Sequence, residues 1–151
     1  MTFSKTVLLT TVPSDSHSWN LVFMEFLLTD IGYHVENLGP NTPMDEVIAR
    51  LNRHASAMVV VSTVNGHGYI EGAELAQRIR SETKHTDGVY IGGKICTEND
   101  PQTIARHSDT LRAAGFDEVF DDSVANSFDA FQELVSAQLY PEHYLEKRVA
   151  R

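Results

Sequence analysis

Five short apolar runs alternate with five stretches of helical periodicity between residues 6 and 139, and that alternation restricts the chain to the α/β class. The run at 57–62, Ala-Met-Val-Val-Val-Ser, is continuous and β-branched, as in a strand buried on both faces at the centre of a parallel sheet. The run at 6–12, Thr-Val-Leu-Leu-Thr-Thr-Val, has the same character. Shorter strands are expected at 33–38, 88–92 and 118–120. Between them lie helices at 19–31, at 43–52 with Pro43 in the first helical position, at 70–81, at 101–112 and at 127–139. Leu21, Phe23, Met24, Leu27, Leu28 and Ile31 make the buried face of the first helix, which Gly32 closes. Gly115 stops the fourth helix, and Ser123 or Asn126 caps the fifth.

Strand–helix alternation of this kind gives right-handed crossovers and a doubly wound, Rossmann-like sheet. For 151 residues the expected order is the flavodoxin-like 2-1-3-4-5, with residues 1–139 in one domain and 140–151 as a charged C-terminal tail. Ligands of such sheets bind beyond the carboxyl ends of the strands, where the order reverses between strands 1 and 3. The loops leaving those strands carry Ser14-Asp15-Ser16-His17-Ser18 and Ser62-Thr63-Val64, the second continuing into Gly66-His67-Gly68, and Gly92-Gly93-Lys94 leaves strand 4 beside them. A histidine placed there offers one ring nitrogen to a metal, while a carboxylate two residues earlier takes the other ring N–H and fixes the tautomer. Singly, each piece has an ordinary explanation: a loop pair, a strand-end hydroxyl, a turn. Their convergence on one crevice is what points to function.

A formal charge of -9 leaves no basic face for a phosphate backbone, so no nucleic acid is expected. No basic amphipathic stretch fits a membrane surface, and no segment is long enough to cross one. The apolar part of the N-terminus is too short for a signal peptide, and the one cysteine, Cys96, fits a reducing compartment; a cytoplasmic protein is expected. Cys96 is read as incidental, His67 as decoration of a flexible loop, and Asp121-Asp122 as a solvated turn; His34, His54, His85, His107 and His143 receive no role.

The order Asp-x-His after strand 1, Ser-x-Val after strand 3 and Gly-Gly after strand 4 resembles the cobalamin-binding domain, and most closely the small (sigma) subunit of glutamate mutase, also called methylaspartate mutase, over residues 4–139. The resemblance implies an adenosylcobalamin cofactor held with its benzimidazole off, and His17 as the cobalt ligand in its place. It further implies Asp15 behind the imidazole, Ser62 against the benzimidazole, and Gly92 and Gly93 making room for the nucleotide tail, which enters between strands 1 and 3. Ser14, Ser16, Ser18, Thr63, Val64, Gly66 and Lys94 complete the implied cofactor site. The implied activity is a radical carbon-skeleton isomerisation of glutamate to 3-methylaspartate, carried out only with a larger TIM-barrel catalytic subunit in a hetero-oligomer, a heterotetramer in the family. Three positions depart from the family pattern: Asn20 replaces a glycine, Val64 a leucine, and Asp121-Asp122-Ser123-Val124 stands where a Gly-Thr pair is common.

The alternatives are a non-catalytic corrinoid carrier or a methyl-transferring corrinoid protein, which shares the Asp-x-His fold. Methyl-transferring proteins usually carry a helical cap before this domain, whereas the sixteen residues before His17 are used by a strand. A phosphoacceptor receiver needs an aspartate where Ser62 stands. A flavodoxin needs a glycine-rich loop after strand 1, and residues 13–20 hold no glycine.

Overall fold

The computed structural model describes residues 5–140. Its elements are β1 (Thr6–Thr10), α1 (Trp19–Ile31), β2 (His34–Asn37), α2 (Met44–Arg53), β3 (Met58–Thr63), α3 (Gly68–Glu82), β4 (Gly88–Gly93), α4 (Pro101–Ala114), β5 (Glu118–Asp121) and α5 (Ser127–Leu139). The strands form one parallel sheet in the order β2-β1-β3-β4-β5, so the expected doubly wound, flavodoxin-like fold is the one observed.

The pleat divides the core in two. Leu8, Val59, Val61, Val89 and Ile91 face Val47 and Leu51 of α2, Leu75 and Ile79 of α3, and Leu111 of α4. Val7, Leu9, Met58, Val60 and Tyr90 face Leu21 and Leu28 of α1 and Phe131 and Val135 of α5. All six residues of β3 are buried, which is why its sequence shows no polar alternation. At the sheet edge the guanidinium of the buried Arg50 of α2 pairs with Glu36 of β2 and so holds the Glu36 carboxyl below its usual range; Arg50 also donates to the His54 carbonyl (2.8 Å).

Several boundaries differ from expectation for local reasons. The first strand ends at Thr10, although Thr11 and Val12 stay buried as the chain turns. Pro43 is extended and precedes α2 instead of opening it, and the Thr42 hydroxyl donates to the Gly39 carbonyl (2.6 Å). α3 starts two residues early, at Gly68, where an added Cβ would lie 2.6 Å from Thr63 Cγ2. His67 therefore stands at a helix N-terminus, not in a flexible loop. Asn126, not Ser123, is the residue before α5; its backbone is left-handed (φ 64°) and its side chain makes no cap bond. Phe23 is exposed on α1, not buried. Asp121 is buried, accepting from the Ser123 N–H (2.8 Å) and hydroxyl (2.5 Å), so it is not part of a solvated turn. The proposed tail falls outside the described residues except for Tyr140. No helix among those residues is long and apolar enough to cross a membrane.

Candidate functional site at the switch point

The β1–α1 loop is organised around one carboxylate. Asp15 is fully buried, and its Oδ1 accepts the His17 backbone N–H (3.0 Å) and lies 2.8 Å from His17 Nδ1. Its Oδ2 accepts the Thr63 hydroxyl (2.7 Å) and the Val64 N–H (2.8 Å). The loop is further tied down by Asn41, whose N–H donates to the Asp15 carbonyl (2.7 Å) and whose side chain donates to the Pro13 carbonyl (3.0 Å). Asn41 sits at φ 52°, a left-handed position that asparagine tolerates well, and nothing in the linear pattern marks it.

Burial alone would raise the Asp15 carboxyl, but the Val64 and His17 N–H groups, the Thr63 hydroxyl and the His17 ring together hold it down at about 2. An ionised carboxylate only accepts, so the proton of a neutral His17 sits on Nδ1 and the lone pair on Nε2. The imidazole itself is exposed (59% of its side-chain surface), projecting from a rigid base. A depressed folded pKa means that the stabilisation from Asp15 is complete above the unfolded value near 3.8 and is lost as pH falls through about 2. We expect the stability gap between the native chain and Asp15→Asn, read from urea unfolding, to narrow by about 2 kcal/mol between pH 5 and pH 2. A pH-independent gap would contradict this account.

The second half of the site is a cavity of about 170 Å³ over the α1/α5 face of β3 and β4. Phe23, Met24, Val60, Tyr90, Phe120, Phe128 and Phe131 make its walls almost wholly apolar, and Ser62, Gly92 and Gly93 lie along its sheet side. An apolar cavity of roughly 150 Å³ is large enough to hold benzene, so this one admits an aromatic ring. β1 and β3 pair without a gap from Val7↔Met58 to Thr10↔Val61, and the chamber lies beneath α1 and α5. Its aromatic walls are hidden in the sequence because phenylalanines on a helix read as core.

Asn20 and Ser62 bring polar groups to the chamber. The Asn20 amide nitrogen donates to the Ser62 carbonyl and to Ser62 Oγ, both at 3.1 Å. A carbonyl accepts only, which fixes the amide orientation and leaves Asn20 Oδ1 buried without a partner. Ser62 Oγ is an acceptor in this contact, so its own proton is available to the chamber.

The other expected residues divide. The Ser14 hydroxyl donates to Glu71 of α3 and accepts from the Asn65 side chain (2.9 Å), bracing the two loops against each other. The Thr63 hydroxyl and the Val64 N–H both donate to Asp15, the carboxylate beside His17. Ser16 and Ser18 are exposed on the His17 loop. Gly66, at φ +86°, donates its N–H to the carbonyl of the exposed Lys94 (3.2 Å), joining the rims of the β3–α3 and β4–α4 loops. Gly93 is the tightest position: at φ +106°, an added Cβ would lie 2.1 Å from the Thr63 carbonyl oxygen.

The doubly wound sheet is flavodoxin-like, and the braced histidine and adjoining chamber form its candidate site, where ligands of such sheets bind. No family model matches the sequence. Curated relatives do: it is 30% identical over 117 residues to glutamate mutase sigma subunit 2 of Haloarcula marismortui, covering 78% of this chain and 77% of that one. The sigma subunit of Carboxydothermus hydrogenoformans is 30% identical over 110 residues (72% and 78%), and that of Halobacterium salinarum 28% over 134 (89% and 87%). The chain belongs to the glutamate mutase sigma subunit family. Among solved structures, a cobalamin-binding protein of Desulfitobacterium hafniense superposes with a TM-score of 0.67 at 17% identity, over 89% of this chain and 58% of that one. The monomethylamine corrinoid protein of Methanosarcina barkeri gives 0.64 at 15% identity, over 86% and 57%. The chain thus spans under two thirds of each of these two structures, and at such identities they establish the fold.

Proposed function

We propose that this chain is the cobalamin-binding subunit of an adenosylcobalamin-dependent glutamate mutase, holding the cofactor base-off with His17 Nε2 on cobalt. The observation that carries the reading is the fully buried Asp15, which spends both oxygens on fixing His17 and its loop. A neutral imidazole with a defined lone pair and a carboxylate behind it is a strong donor to a transition metal.

The chamber fits the remainder of the cofactor. Its apolar walls suit an aromatic base, the Ser62 hydroxyl suits a ring nitrogen, and the unpartnered Asn20 Oδ1 suits a tail hydroxyl. Ser14, Ser16, Ser18, Gly66 and Lys94 line the mouth of the site on this reading, and Gly92 borders its chamber. When bound, the cofactor supplies the carbon-centred radical for the skeletal rearrangement of glutamate to 3-methylaspartate. The residues here bind, orient and shelter one face of it. Substrate is held by a larger TIM-barrel subunit in a hetero-oligomer, which closes the opposite face against water.

The test is electron paramagnetic resonance of the chain with cob(II)alamin and nitrogen-15 histidine. The expected hyperfine pattern is that of one labelled nitrogen; a pattern from benzimidazole would end the axial-ligand assignment. In the same preparation with adenosylcobalamin, glutamate should turn over only after the large subunit is added.

A further inference from the structure

Beyond β4 the chain carries a second group of metal-ligating side chains that the cobalamin site does not use. Cys96 is buried in the β4–α4 loop, Glu98 follows on the same loop, and His107 projects from the second turn of α4. Their Sγ, carboxylate oxygen and imidazole nitrogen all lie within 4.8 Å of one another. His107 is held against Tyr69 of α3, with ring centroids 4.1 Å apart, and its Nε2 is covered yet makes no hydrogen bond. Glu98 Oε2 is 3.9 Å away, beyond hydrogen-bond reach and close to the spacing of two ligands on one ion. The Cys96 thiol has only a long contact of 3.8 Å to the Glu98 carbonyl.

We propose that Cys96, Glu98 and His107 bind a zinc-class divalent cation, with water as the fourth ligand. Bonds of about 2.0 Å to nitrogen and oxygen and about 2.3 Å to sulfur put tetrahedral ligands about 3.5 Å apart, so closure requires under roughly 1.5 Å of movement. The exposed Glu98 side chain provides that movement. Thiolate, imidazole and one carboxylate favour zinc, cobalt(II) or nickel(II) and disfavour calcium or magnesium. The ion would pin the β4–α4 loop to α4. That loop accepts the Gly66 N–H at Lys94 and the Tyr69 N–H at Ile95 (3.2 Å), so the pin would stiffen the rim shared with the β3–α3 loop. This site is independent of the cobalamin reading.

The probe is Co(II) titrated into the reduced full chain without cobalamin. One equivalent should give a thiolate-to-cobalt charge-transfer band and the intense visible bands of four-coordinate cobalt, both displaced by zinc. Cys96→Ser should remove the charge-transfer band, and His107→Gln should weaken binding by more than the roughly 10–100-fold typical of outer-shell partners. Glu98→Gln, at an exposed position, gives a variant whose folding is not at issue and should weaken binding likewise. His17→Ala should keep the bands, which separates this site from the switch point. Absence of the charge-transfer band in the native chain, its persistence in Cys96→Ser, or its loss in His17→Ala would overturn the proposal.

Discussion

Replacing His17 with alanine is expected to lower affinity for hydroxocobalamin by at least about 100-fold and to leave the bound remainder with a base-on spectrum. The imidazole is the cobalt donor on the proposed reading, so its removal deletes a coordinate bond. The fold should be indifferent. His17 is largely exposed, and Asp15 keeps Thr63 and the Val64 N–H when the ring is gone. Unfolding free energy should therefore stay within about 1 kcal/mol of the native chain. Asp15→Ala should behave in the opposite proportion: a loss of affinity of roughly 10–100-fold, with a larger loss of stability because buried donors lose their acceptor. Equal affinities for the native chain and His17→Ala, by titration calorimetry, would remove His17 from the site.

The second large effect is expected at Gly93. Alanine there meets two obstacles: a left-handed φ of +106°, and the Thr63 carbonyl oxygen 2.1 Å from the new Cβ. The obstructing atom belongs to a central strand, so relief requires parting β3 from β4. A cost of about 4 kcal/mol follows from overpacking and backbone strain combined, among the largest for a single methyl. Gly92→Ala meets the Phe120 carbonyl oxygen at 3.2 Å and Phe120 Cβ at 3.4 Å, with no positive φ, and should cost about 1 kcal/mol. Denaturant midpoints of the two variants would decide. Similar values would mean that the first glycine is as constrained by the fold as the second. On our account Gly93 is demanded by the sheet, whereas Gly92, which borders the chamber, is free to answer to the ligand.

What can be read from the linear sequence is governed by burial. β3 and the matched helix periods declare themselves because each is buried along its length or on one stripe, and strand order follows from chain length and handedness. Asp15 and His17 are legible because a two-residue spacing is a local fact. Less legible are contacts between distant segments. Asn41 braces the His17 loop from the far side of β2, 28 residues beyond Pro13, and Asn20 reaches Ser62 across 42 residues. Phe23 reads as core, since nothing in a helical period separates a residue facing a filled interior from one lining a chamber, as Phe23, Phe128 and Phe131 do. His107 carries no signal of its own because Cys96 and Glu98, beside it in space, lie on a loop whose path no period predicts.

The pleat of β3 carries one further consequence. Ser62 opens onto the chamber, while its neighbour Thr63 turns to the opposite side and holds Asp15. The strand before them, Met-Val-Val-Val, is nearly uniform, so a slip by one residue would exchange one valine for another and leave the oily interior almost unaware of it. The same slip would hand the chamber a threonine and leave the carboxylate behind the histidine facing a valine. Alignment of this strand is therefore policed at its polar end, where Gly93 closes on Thr63, and both halves of the site are either set correctly together or spoiled together.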